Sequence, residues 1–182
     1  FAHATLWLLS GYITFSIFQF LGEQFGASPW LLLPAILGAT ALMALILTFG
    51  PISGAHFNPV VTVCAAWQQA TLWRDVPGYI AAQIIGAFAG VAPANTMFGE
   101  PTFAASTHVR AGGAQLFSEF VATFGLLAVI WGCARSRPSA IPGAVGAYIA
   151  SAYWFTASTS FANPAVTLAR AASNTFAGIR PM

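Results

Sequence analysis

The sequence predicts an all-α integral membrane protein: an inverted repeat of transmembrane helices with two short re-entrant half-helices that meet inside the bilayer. Three observations predict this class. Of 182 residues, 58% are hydrophobic and 5% charged, against roughly 45–50% and about 25% in soluble domains, so the expected solvent is lipid. Apolar runs approaching the roughly 20 residues that cross a bilayer recur at 4–21, 31–50, 79–97, 116–134 and 142–156. The segment Asn58-Pro59-Val60-Val61-Thr62 returns as Asn163-Pro164-Ala165-Val166-Thr167, each time opening an apolar stretch too short to span.

Taken in order, residues 4–21 form the first candidate span. No Lys/Arg-rich region precedes it as in a signal peptide, and no initiator Met is present, so Phe1 is expected not to be the native beginning. After a polar connection carrying Glu23, residues 31–50 form the second span. The stretch 58–70 then reads as a half-helix. Asn is a favoured N-cap because its side-chain oxygen accepts an orphan N–H, and Pro suits the next position because its missing N–H costs nothing there. Arg74 and Asp75 mark a connection, 79–97 the third span, and 98–113, with Glu100, His108 and Arg110, a longer one. The fourth span (116–134), a turn at Arg137-Pro138, the fifth span (142–156) and a second half-helix (163–176) complete the chain.

The Asn-Pro copies thus define a first repeat at about 1–98 and a second at about 114–182 within one membrane domain. An odd number of spans separates them, which inverts the second copy relative to the first. A third span follows the first half-helix but none follows the second, so a sixth helix is expected to be missing. If the first half-helix enters from the cytoplasm, Arg74, Arg135 and Arg137 lie inside and Arg110 and Arg180 outside.

Charge excludes several functions. Six arginines, no lysine and four acids leave +2, too little to grip nucleic acid. No acid–base dyad, nucleophile constellation or phosphate-cradling glycine loop is visible, which excludes the common enzyme classes. The three histidines have no metal-ligand spacing, so no metal or cofactor is expected. His56 could serve as a gate or metal ligand, but a lone histidine reads more readily as a hydrogen-bonded structural group, and Cys64 and Cys133 read as small hydrophobes. Glu119 and Arg170 are the ionisable residues at membrane depth. A carboxylate there is expected to accept the unsatisfied N–H groups of a re-entrant loop, and Arg170 to be a packing or loop-anchoring residue facing its own half-helix.

Two half-helices entering from opposite sides bring their positive dipole ends, each worth roughly half a charge, together near the midplane. Cations and protons are opposed there. Asn58 and Asn163 can offer amide N–H donors, while Gly54-Ala55-His56 and Ser158-Thr159-Ser160 can line a path with carbonyl acceptors. The combination suits small, uncharged, hydroxylated solutes.

At these residues the chain resembles the aquaporin or major intrinsic protein family, whose two signature motifs look like Ser53-Gly54-Ala55-His56-Phe57-Asn58-Pro59-Val60 and Asn163-Pro164-Ala165. The resemblance covers essentially the whole chain. It implies six tilted helices and two half-helices per protomer, homotetrameric assembly in a bacterial inner membrane, and a passive pore for water and small neutral solutes. Glu119-Phe120-Val121-Ala122-Thr123 resembles the family's fourth-helix motif, whose Glu supports a re-entrant loop; the equivalent first-span glutamate would fall at Phe1.

The first motif here ends in Val60 rather than Ala. At the constriction the family usually places Arg three residues after the second Asn, where this sequence has Val166. By the family's spacing Gly38, Ser151 and Ser160 complete the filter. A ring of Gly, Ser, Ser and Val implies a wide pore, with proton exclusion left to the half-helix dipoles alone. The run Phe161 to Arg170 resembles bacterial aquaglyceroporins, some associated with arsenic resistance, which implies polyols or metalloid hydroxides such as arsenite as cargo. The competing expectation is a non-conducting membrane assembly or junction protein, or a truncated, inactive homologue.

Overall fold

The computed structural model describes residues 32–156, 160–175 and 178–180. The first span, Phe1, Ser158 and Thr159 lie outside the described residues. Six α-helices follow in order: α1 (Leu32–Ser53), α2 (Pro59–Trp67), α3 (Val76–Met97), α4 (Gly113–Ser136), α5 (Ile141–Phe155) and α6 (Pro164–Arg170). Single 3-10 turns precede α3 and α5. Among the described residues the stretches Ile36–Ser53, Trp73–Met97 and Gly113–Ser136 are long and apolar enough to cross a membrane.

Each predicted span within the described residues is a helix, displaced at its ends by capping chemistry. The second runs on through Pro51, because the Gly54 N–H still closes the last turn onto Gly50 O at 2.9 Å. The third begins earlier, at Val76, with Pro77 in the first turn, where a missing N–H is free of cost. The fifth, α5, has 15 residues and rises about 22 Å.

Both half-helices are shorter than 58–70 and 163–176. α2 stops in a Schellman motif: Gln69 adopts φ +62, and the Ala70 and Gln69 N–H groups return to Ala65 O and Ala66 O. α6 stops at Arg170 because the next two carbonyls are used elsewhere. Ala171 O accepts from Ser106 N at 3.0 Å and Ala172 O from Ala104 N at 2.9 Å. Neither stop has a glycine or proline to announce it.

The helices form two groups. α5 packs between α1 and α4, while α3 packs against both half-helices, whose N-termini touch. The groups join where α2 and the loop before α6 insert, around Val61, Ala122, Leu126, Val145 and Ala162. Small residues dominate the buried positions, including Ala39, Ala122, Ala152 and Ala165, whereas Leu37, Leu47, Ile85, Leu116 and the stacked Phe117, Phe120 and Phe124 face outward. That distribution fits lipid, where helices associate by close backbone approach and not by expelling water.

Gly146 is one such approach: a Cβ there would stand 2.9 Å from Ala39 O on α1. Gly146→Val is therefore expected to wedge α1 from α5, costing about 1–3 kcal/mol. It should lower the thermal midpoint of detergent-solubilised protein; an unchanged midpoint would mean that these helices do not pack through this glycine.

Candidate functional site

The site is the junction of α2 and α6. Asn58 (φ −150, ψ 123) and Asn163 (φ −154, ψ 106) stand in matching extended conformations, each capping the helix that its Pro begins. Asn58 Oδ1 accepts from Val60 N at 3.0 Å, and Asn163 Oδ1 accepts from Ala165 N at 3.1 Å and Val166 N at 3.3 Å. Thr62 and Thr167 close the first turns by donating to Asn58 O and Asn163 O. Val60 and Ala165 follow the prolines as predicted, Ala165 buried and Val60 half-buried.

The amide nitrogens do something that capping does not require. Asn58 Nδ2 donates to Ala162 O at 2.6 Å, and Asn163 Nδ2 donates to Phe57 O at 2.7 Å. Each asparagine thus holds the carbonyl immediately before its counterpart, forming a reciprocal clasp between segments more than a hundred positions apart. An amide carries two N–H donors; the clasp uses one of each pair. Asn58 is buried and Asn163 half-buried, so the remaining donor of Asn163 is the more accessible.

The repeat extends into the backbone. Ala55 (φ 47) and Phe57 (φ 49) on one side match Ser160 (φ 51) and Ala162 (φ 46) on the other, with the same spacing to Asn58 and Asn163. The approach to Asn58 is therefore not a plain extended strand: Gly54 (φ 72) and Ala55 are left-handed, and so, after His56, is Phe57. Left-handed geometry costs a non-glycine residue roughly 1–2 kcal/mol, so both loops need outside support.

The second loop is supported by Glu119. Its Oε1 accepts from Phe161 N at 3.0 Å and its Oε2 from Ala162 N at 2.6 Å, the role expected of a carboxylate beside a re-entrant loop. Around the first loop, His56 Nδ1 lies 3.2 Å from Thr62 Oγ1, which also accepts from Gln83 Nε2 at 2.9 Å. The His56 ring lies 5.3 Å from that of Tyr79, whose hydroxyl donates to Ser53 O. His56 is thus a structural member of a polar group that binds α3 to the loop.

The four filter candidates occupy different settings. Gly38 on α1 and Ser151 on α5 are exposed, Ser160 is buried in the loop, and Val166 is half-buried on α6. Val166 lines a cavity of about 450 Å³ between α3 and α6, together with Ala87, Gly90, Ala169 and Arg170. Arg170 reaches back past its own half-helix to the preceding loop, its guanidinium carbon 4.8 Å from the Phe161 ring centroid.

Sequence reasoning passed over Phe161, Arg110, Thr62 and the clasp acceptors Phe57 and Ala162. The two threonines sit at equal offsets from their asparagines and were discoverable from the repeat. Arg110 carried no such signal.

The major intrinsic protein family matches residues 13–157. The chain belongs to this family. Members are membrane channels and not enzymes, and the apolar helices fit this major intrinsic protein to cross a membrane more than once. Over 140 residues it is 53% identical to aquaglyceroporin AqpS of Rhizobium meliloti (strain 1021), covering 77% of this chain and 60% of that one. It is 33% identical over 122 residues to a probable glycerol uptake facilitator protein of Thermotoga maritima (60% and 52% covered). Aquaporin NIP1-1 of Oryza sativa subsp. japonica is 38% identical over 105 residues (57% and 37% covered). The match thus spans 60% or less of the length of each of these relatives.

Proposed function

We propose that this chain forms a passive transmembrane channel for water and small uncharged solutes such as glycerol-like polyols, assembled as a homotetramer. The observation that carries this reading is the reciprocal Asn58–Ala162 and Asn163–Phe57 clasp. It holds two positive helix ends tip to tip and leaves one amide N–H on each asparagine for a solute oxygen. Cations meet the positive ends of two half-helices, whereas a neutral hydroxyl meets donors. A solute-conducting pore also agrees with the names of the aquaglyceroporin and the glycerol facilitator among the relatives.

Gly38, Ser151, Ser160 and Val166 are the proposed filter. With no bulky aromatic ring and no guanidinium among them, it admits solutes wider than water, including neutral metalloid hydroxides such as arsenite. The test is stopped-flow light scattering on proteoliposomes containing the protein, challenged in turn with sucrose, glycerol and arsenous acid. Re-swelling with glycerol or the metalloid supports the reading. Water flux alone rejects the wide filter, and no flux from inserted protein favours a non-conducting assembly role.

Val166→Arg is expected to narrow the constriction, reducing glycerol and metalloid flux at least tenfold while water flux falls less than threefold. Equal loss of water and solutes would show a blocked pore, and no loss would remove Val166 from the filter.

A further inference from the structure

One end of the bundle carries exposed side chains that conduction does not use. Element order fixes which end: α2 runs outward from the clasp to Trp67, α3 starts where the chain leaves α2, and α4, crossing back, finishes on the same side. Trp67 is 80% exposed and Trp73 57%, with Leu72 exposed between them in sequence. Tryptophan is among the most buried residues on average, so two such rings on one rim need a partner. Trp73 is also the first residue of the span that α3 completes, which sets its depth at the boundary between hydrocarbon and headgroups. An indole suits that boundary, having an apolar body and one N–H to keep wet.

The same rim is cationic. Arg74 follows Trp73 directly, and Arg135 and Arg137 stand at the end of α4, the other long span that finishes here. All three arginines are exposed. Among the described residues the one carboxylate that meets them is that of Asp75, 3.7 Å from Arg74 Nε and exposed like its partner, a contact that solvent weakens. None of the three lies over an aromatic ring. Arg110, from the opposite end, differs: its guanidinium lies over Phe161 and its Nε donates to Gly178 O.

We propose that this rim is a docking surface for anionic phospholipid, with headgroup phosphates on Arg74, Arg135 and Arg137 and with Trp67, Leu72 and Trp73 at the boundary between headgroup and acyl chain. Charge complementarity selects the occupant. A guanidinium presents a planar fork of donors that matches phosphate, and an anionic headgroup brings no cation of its own to a surface that already has three. The adjoining rings favour a lipid over a free ion, because only a lipid offers them apolar surface. α2 has nine residues, and the clasp fixes its inner end; bound lipid then steadies the outer end, whatever the pore conducts.

The experiment equilibrates the full chain with mixed micelles of phosphatidylglycerol and phosphatidylcholine in equal amounts, captures the protein, and counts the lipids that stay bound. Phosphatidylglycerol should exceed phosphatidylcholine at least fivefold, the preference that about one interfacial arginine supplies. In Arg74→Gln/Arg135→Gln/Arg137→Gln the ratio should fall below twofold, whereas Arg180→Gln, at the opposite end, should keep it. Trp67→Leu/Trp73→Leu should lower retention of both lipids at least threefold without changing their ratio. Raising KCl from about 0.1 M to about 1 M shortens the screening length from about 10 Å to about 3 Å, and should bring the ratio in the unaltered protein below twofold. Equal retention of the two lipids by the unaltered protein overturns the proposal, as does an unchanged ratio in the triple Gln variant. Displacement of phosphatidylglycerol by excess inorganic phosphate also overturns it, reassigning the rim to a free anion. If the triple variant does not fold, the salt series decides: a fivefold ratio that persists at high salt removes the arginines from the surface.

Discussion

Glu119→Ala is expected to abolish solute flux and to cost more stability than any other single substitution in the half-helix junction. The carboxylate receives two backbone N–H groups, from the buried Phe161 and Ala162. Leaving a buried donor unsatisfied costs about 1–3 kcal/mol, so the two together approach a sizeable part of the 5–15 kcal/mol that holds a typical domain folded. The loss also falls on a strained segment. Ser160 and Ala162 hold left-handed conformations on either side of Phe161, and without an acceptor they are expected to relax toward ordinary geometry. That relaxation carries the Ala162 carbonyl away from Asn58. Glu119→Gln keeps one acceptor oxygen but turns an NH2 group toward the second N–H, and should fall between the two. Thermal midpoints in detergent, read beside glycerol flux, provide the check: a Glu119→Ala protein with the original midpoint and flux would show that the loop stands without its carboxylate.

Asn163→Asp is expected to reduce neutral-solute flux at least tenfold while leaving α6 in place. Asp caps a helix about as well as Asn, so the bonds to Ala165 N and Val166 N persist. What is lost is the Nδ2 donor: a carboxylate oxygen then faces Phe57 O, 2.7 Å away in the unaltered protein, and the two acceptors repel. The clasp opens on one side, and a negative charge occupies the place where two positive helix ends converge. Sodium entry should rise as glycerol entry falls. Asn58→Asp is the symmetric experiment, breaking the bond to Ala162 O. Flux unchanged in both variants would remove the junction from the conducting path, even if the fold around it were intact.

Much of this architecture was legible because its causes are local. An apolar run of span length is sufficient reason for a helix in lipid; α3 and α4 cover the runs that predicted them, and α1 and α5 miss only one end residue each. Asn-Pro is a helix start on capping chemistry alone, and its recurrence after an odd number of spans is a sufficient argument for inverted half-helices. The role of Glu119 followed from burial: an ionised group at membrane depth must find donors, and a re-entrant loop has them to spare.

Other features were illegible because they depend on contacts between distant segments. α6 ends at Arg170 because Ala171 and Ala172 turn their carbonyls to Ser106 and Ala104, and no breaker residue near 170 marks the stop. Arg110 looked like an ordinary loop charge until the fold placed its guanidinium over the Phe161 ring. His56 acquired its role from Thr62 and Tyr79, and Val166 its cavity from α3.

The sequence by itself determined the solvent, the helical spans, the two capped half-helices and their inversion, since each follows from hydrophobicity or from backbone groups satisfied within a few residues. Only the tertiary structure decided the reciprocal clasp, the left-handed alternation that it shares with Glu119, and the position of the guanidiniums. Those features bring together donors and acceptors from separate segments, and a hydrogen bond between residues such as Asn58 and Ala162 leaves no periodicity in a chain for composition or spacing to reveal.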